Sequence, residues 1–213
     1  FSGTLTISNS LTIASTNSGG SVLEFAGGVD GTGDIEAVNA SASTNTSYFK
    51  FTTKPVNHVG SLTFRSGSVL GGVAGTGTGL NEITGGIGVN LTALAQSSGS
   101  NPLQLSSGSI RVNPAGLDIS VNSSAGLTST SPITGSGTLV LEANSSAVMR
   151  LSGAMTLSGT LVNAGTGDSG NFYTSAATGP AAVVLSAPLG ASLSRLIQDA
   201  PKSAMVLNAT NSA

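Results

Sequence analysis

Cysteine and tryptophan are absent from this chain, tyrosine occurs only twice, and charged residues make up 8% of its 213 positions, where a globular domain carries about 25%. Without cysteine there is neither a disulfide framework nor a thiolate metal site. That absence fixes no compartment, although it suits an exported protein that must stay indifferent to redox conditions. The scarcity of aromatic residues, 4% of the chain, argues against a core built on large rings. It also argues against a membrane barrel, whose interfacial girdles need Trp and Tyr. Seven Lys and Arg against nine Asp and Glu leave a net charge of −2, and the cations are scattered singly. No basic stripe exists to neutralise phosphates, so nucleic acid and anionic membranes are not expected partners. The longest apolar stretch, around Ala181 to Leu189, is broken by Ser186 and Pro188, far short of the roughly 20 residues a membrane helix needs. The chain opens on Phe1, already inside a strand-like pattern, which reads as a mature segment of a longer exported protein.

Ser, Thr, Gly and Asn fill roughly half the chain, yet 38% of it is hydrophobic, more than a disordered linker of that polar composition offers. The apolar residues fall in short runs with a period of two: Leu5 and Ile7, Leu11 and Ile13, Leu23 and Phe25, Phe49 and Phe51, Leu62 and Phe64, Leu103 and Leu105, Ile110 and Val112. The pattern continues through Leu117, Ile119 and Val121, then Leu139 and Leu141, Met155 and Leu157. Such alternation puts apolar side chains on one strand face. Small-residue turns such as Asn17-Ser18-Gly19-Gly20, Asn113-Pro114-Ala115-Gly116 and Gly135-Ser136-Gly137 separate the runs. The tetrapeptide Ser-Gly-Thr-Leu occurs at Ser2, Ser136 and Ser158, and the last two copies start 22 residues apart, which suits one coil of a solenoid. The expected fold is all-β, a right-handed parallel β-helix, with Leu5, Leu139 and Leu161 buried and the latter two stacked.

Two stretches break the rhythm. Gly71 to Gly99 is too rich in glycine for strand interiors and reads as an irregular excursion. Leu189, Leu193, Leu196 and Ile197 are spaced i, i+4, i+7, i+8 between Pro188 and Pro201, which predicts one short amphipathic helix over about 189–200. That helix could cap the solenoid or pack on its side. The whole of 1–213 reads as a single solenoid segment.

The strings Ser2-Gly3-Thr4-Leu5-Thr6-Ile7, Gly31-Thr32-Gly33-Asp34-Ile35 and Gly135-Ser136-Gly137-Thr138-Leu139-Val140-Leu141 resemble the autotransporter-associated β-strand repeat, and Ser158 to Asn163 fits it loosely. Other bacterial surface β-solenoids share such strings. The resemblance implies a parallel β-helix in a large exported surface protein, located extracellularly or on the cell surface. The repeats are degenerate from Val38 to Asn57 and from Gly71 to Gly99, and no C-terminal membrane barrel is present in the sequence.

Residues that could carry chemistry are few. His58 is the one histidine, and no Asp or Glu lies near it in sequence, so it reads as a loop residue. Serine is abundant, but no G-x-S-x-G elbow appears with matching partners. Asp30, Asp34 and Glu36 sit on a Gly-rich stretch of the kind Ca²⁺ uses, although their spacing matches no calcium loop and occurs once. Asp118 and Glu142 are 24 positions apart with Arg111 and Arg150 nearby in sequence, the place where stacked coils could assemble a carbohydrate-cleaving groove. Thr4/Thr6 and Thr128/Thr130 are not repeated coil after coil, as ice binding requires. Asn-x-Ser/Thr sequons at Asn39, Asn45, Asn90, Asn122, Asn144 and Asn208 are expected by chance in such a composition. The reading is therefore non-enzymatic, with no catalytic, cofactor or metal residues assigned and no cofactor expected. It is a structural stalk, filament or sheath element whose partners are further copies or neighbouring segments. The alternatives are an adhesin that binds surface glycans through Gly71 to Gly99 and, less favoured, a β-helical carbohydrate-active enzyme.

Overall fold

A computed structural model describes residues 1–15, 22–40, 48–66, 80–97, 101–167 and 182–208. Among them every strand pairing is parallel, no residue is helical, and the strands wind into a β-solenoid of three faces per coil. The second face is the most regular. It stacks Leu11–Ser15, Ile35–Asn39, Gly60–Ser66, Leu91–Gln96, Leu117–Val121, Thr138–Ala143, Thr160–Asn163 and Arg195–Gln198. The third face runs through Val22–Phe25, Tyr48–Phe51, Asn81–Ile83, Leu103–Leu105, Leu127–Ser129, Val148–Leu151, Ala182–Leu185 and Ala204–Leu207. The first is thinner: Leu5–Ile7 pairs with Val29–Gly31, then come the single bridging residues Val56 and Ile87. Ile110–Val112, Ile133–Gly135 and Met155–Leu157 follow, and Leu189 bridges at the end. The described residues thus make eight coils, about seven turns. Each passes from one strand to a parallel neighbour by a crossover, a connection that is right-handed by strong preference.

Alternation at period two sends one set of side chains into the narrow interior, and the parallel register stacks like on like. On the first face the inward column reads Leu5, Val29, Val56, Ile87, Ile110, Ile133, Met155, Leu189. On the second, Ile35, Leu62, Leu94, Ile119 and Leu141 align, and Leu117, Leu139 and Leu161 stand over one another. All except Leu5 and Leu189 at the two ends are buried. Complete burial of one such side chain is worth about 1.5–3 kcal/mol, and backbone hydrogen bonds between coils satisfy the polar main chain around it.

Leu139 and Leu161 therefore meet the expectation drawn from their shared tetrapeptide, pairing directly with Thr138 opposite Thr160. Leu5 is only half-buried, because a single coil lies against it. It also stands on the first face, whereas Leu139 and Leu161 stand on the second, so one short phrase serves two different corners. The glycine in that phrase is explained by stacking. A methyl at Gly159 would run into the carbonyl oxygen of Gly137, and one at Gly137 into that of Asn113. At Gly3, in the first coil, a methyl meets nothing within 4 Å.

The predicted helix over 189–200 does not form. Leu189 bridges to Met155, the chain turns at Ala191 and Ser192, and Arg195–Gln198 continues the second face with Leu196 over Leu161. The open edge of Thr160–Asn163 offers a full set of backbone hydrogen bonds, while a helix of that length is marginal on its own. Of the expected irregular stretch 71–99, residues 71–79 and 98–99 lie outside the described residues. Residues 80–97 join the stack through Asn81–Ile83, Ile87 and Leu91–Gln96.

The scarce aromatics are concentrated rather than dispersed. Phe1, Phe25 and Phe51 stack with centroids 5.1 Å apart at each step, and Phe64 meets Phe51 edge-on at 6.1 Å. The first three coils thus contain a ring core that the overall aromatic content argued against. The 5.1 Å step follows the strand spacing of about 4.8 Å, which makes stacking the natural packing for rings in equivalent positions. Among the described residues no helix is long and apolar enough to cross a membrane.

Candidate functional site

Coiling places the charged residues far from where linear spacing suggested. Arg111 faces outward on the first face opposite Thr134, Asp118 and Glu142 lie on the second, and Arg150 lies on the third opposite Thr128. The groove that these four could have formed is not assembled: the two carboxylates share a face, and the two guanidinium groups are on the other two. Asp118 has its carboxyl pushed above the usual range, first by partial burial and then by the charge of Glu142.

Asp30, Asp34 and Glu36 are likewise separated, each turned to a partner in the next coil. Asp34 Oδ1 accepts from the Ser61 amide at 2.9 Å and its hydroxyl at 2.8 Å, which lowers its pKa. Glu36 pairs with Arg65 at 2.5 Å, and Asp30 accepts from the Asn57 amide group at 3.5 Å. Among the described residues no group of three His, Cys, Asp or Glu could hold a metal ion.

His58 lies between strands, in a loop as read from the sequence, but it is not exposed. It is fully buried at the bend before Gly60–Ser66, with Nε2 3.0 Å from the Ser61 carbonyl oxygen and Nδ1 without a hydrogen-bond partner. An Nε2–H tautomer satisfies that contact. Burial pushes its pKa down, partly opposed by the Ser61 carbonyl and by Asp34 and Asp30 of the preceding coil. Those acids are remote in sequence and are brought near by coiling alone.

Two surface features escaped the sequence. The residue leaving each third-face strand is a hydroxyl residue in six successive coils: Thr52, Thr84, Ser106, Thr130, Ser152 and Ser186. Each donates its backbone N–H to the coil before. Unequal coil lengths hide this column in the linear chain, and its signal is a Ser or Thr directly after the last inward residue of the strand, which is apolar in every case but Ser129 before Thr130. One column over, Thr128 lies between Gln104 and Arg150, so no second threonine row accompanies it.

The other feature is a concavity of about 310 Å³ on the first face at the third and fourth coils, where the sheet thins to Val56 and Ile87. Its floor is bare because Gly85 and Gly88 fall there, and a methyl at Gly88 would collide with the Asn57 side chain lying over it. Pro55 and Val89 form apolar walls, Ser109 adds a hydroxyl and Arg111 a guanidinium. Val89 is 44% exposed, and Arg111 has no side-chain hydrogen bond or ion pair among the described residues. Asn57 is held between Asp30 and the Asn90 amide, the latter at 3.3 Å.

The two ends of the stack are apolar as well. Phe1, Leu196 and Leu207 are 76%, 42% and 43% exposed, although Leu196 continues the buried column of Leu117, Leu139 and Leu161, and Leu207 that of Leu151 and Leu185. A concavity of about 610 Å³ opens between Phe1, Leu5, Leu11, Ile13 and Leu23 at one end, and one of about 430 Å³ between Leu196, Met205 and Leu207 at the other.

Comparison with known proteins adds no relative. No protein-family model, curated protein or solved structure matches the chain.

Proposed function

We propose that the chain is a structural element of the cell surface or extracellular space, a rigid β-solenoid that builds a stalk, filament or sheath by stacking end to end with further copies of itself. The observation that carries this is the pair of open ends, each presenting interior side chains and, among the described residues, an unpaired strand edge. The two edges of a parallel ladder are complementary by construction, so the last coil of one copy can donate and accept where the first coil of the next accepts and donates. Such a contact is head-to-tail and repeats without closing, which makes a fibre rather than a dimer. Leu207 of one copy would then stand below Phe1 of the next, extending a column that already runs from Phe25 through Leu185. The low charge and the Ser/Thr/Asn surface suit an exposed location, as does the resemblance to autotransporter repeats.

Electron microscopy of the purified chain at rising concentration tests the proposal. Fibres of one coil's width are expected for the wild type and none for Leu196→Asp/Leu207→Asp, whose circular dichroism stays that of the wild type because both positions are already exposed. Single particles at every concentration would overturn it.

A further inference from the structure

We infer that the concavity over Gly85, Gly88 and Asn57 on the first face is a binding site for a single uronic acid residue of an acidic polysaccharide. This goes beyond the scaffold proposal and does not depend on it.

The charge comes first. Arg111 borders the concavity with a guanidinium that pairs with no carboxylate among the described residues, while Arg65 and Lys50 elsewhere on the surface each hold a glutamate at 2.5 Å. An unpaired guanidinium on a concave wall is matched best by a planar carboxylate taken up through two parallel hydrogen bonds. Asp30 lies just beyond Asn57 on the opposite side and is tied to it. A negative group there repels a ligand with several anionic groups, which disfavours phosphate chains and heavily sulfated ones and favours one carboxylate per bound unit.

The rest of the lining speaks for a sugar ring. Ser109 and the Asn57 amide offer hydroxyl-matched donors and acceptors, and Pro55 and Val89 give aliphatic surface for ring C–H groups. At about 310 Å³ the space lies at the small end of ligand pockets, which begin near about 300 Å³. No aromatic ring lines it, so a neutral sugar lacks its usual stacking platform. Recognition therefore rests on the carboxylate, and the groove is open at the surface, which lets a chain pass through it.

The backbone is built for this recess. Only glycine at position 88 leaves room for the Asn57 side chain, and Gly86, with φ of 91°, occupies backbone space that other residues rarely adopt. Arg111 and Val89 are exposed and outward-facing, so both can be exchanged without touching the core.

The test is an NMR titration of the ¹⁵N-labelled chain with methyl glucuronoside, methyl glucoside and acetate in parallel. Saturable shifts at the Gly85, Gly88 and Val89 amides and at the Arg111 Nε–H are expected with methyl glucuronoside. They should be at least tenfold weaker in affinity with Arg111→Ala and with Val89→Asp, and should weaken with added salt. Absence of shifts at these positions would overturn the inference, as would an unchanged affinity in Arg111→Ala. An equal response to methyl glucoside would remove the role of the carboxylate, and an equal response to acetate the role of the ring; either refutes a uronic acid site.

Discussion

Replacing Leu139 by alanine removes a side chain that is fully buried and held between Leu117 below and Leu161 above. In ordinary cores Leu→Ala costs about 2–5 kcal/mol, the spread reflecting how far the surroundings collapse into the cavity. Here collapse is restrained, because the distance between coils is set by backbone hydrogen bonds at about 4.8 Å and the facing sheets are fixed in the same way. The loss should therefore lie in the upper half of that range, about 3–5 kcal/mol. Leu196→Ala truncates the same column two coils further on, where the side chain is 42% exposed and has no coil above it among the described residues. Its cost should be about 1 kcal/mol, since most of the transfer term is already absent. Urea titration followed by circular dichroism of the two variants measures the difference, with both carrying Leu207→Asp and compared at low concentration to keep association out of the comparison. A Leu139→Ala cost equal to or below that of Leu196→Ala would refute the stacking argument.

Gly159→Ala should destabilise by about 1–3 kcal/mol through the clash with the Gly137 carbonyl, whereas Gly3→Ala should change the urea midpoint little, since nothing lies within 4 Å. His58 is held neutral because burial keeps its pKa below the ordinary 6.5, so the unfolded chain binds a proton that the folded one does not. Stability should be full above 6.5 and should fall as pH drops through that value, and His58→Gln should flatten the midpoint-against-pH curve there. The opposite charge type gives a different window. Asp34, kept below 3.8 chiefly by the Ser61 hydroxyl and then by its amide, contributes stability above 3.8 that is lost as pH falls through its folded value. The Asp34→Asn variant should therefore be less stable than wild type at neutral pH and should converge with it in acid.

The solenoid was legible in the sequence because its determinants are local and repeated. Period-two runs such as Leu117, Ile119 and Val121 declare inward faces, and glycines such as Gly137 mark corners where coils touch. The 22-residue interval between two tetrapeptides matched the true register of Leu139 and Leu161 because no insertion falls between them. Leu189 to Ile197 misled for the complementary reason. A strand that follows a corner can imitate helical spacing, and only the free edge of Thr160–Asn163 decides between the two. Residues that face each other across coils were invisible, since coil length varies along the chain. The partners of Asp34, Glu36 and Lys50 are Ser61, Arg65 and Glu82 in the following coil, and no fixed spacing connects them. The recess at Gly88 was hidden in the same way, because it depends on Asn57 one coil earlier and Arg111 one coil later.

The central claim, that these coils continue from one molecule into the next, is tested most directly by X-ray diffraction from aligned fibres of the purified chain. A meridional reflection at about 4.8 Å is predicted, because strands lie across the axis and every coil, including the one at each junction, is spaced by the same hydrogen bonds. The Leu196→Asp/Leu207→Asp variant should give no fibres to align. A wild-type sample that remains monomeric and yields no such reflection at any concentration would contradict the account.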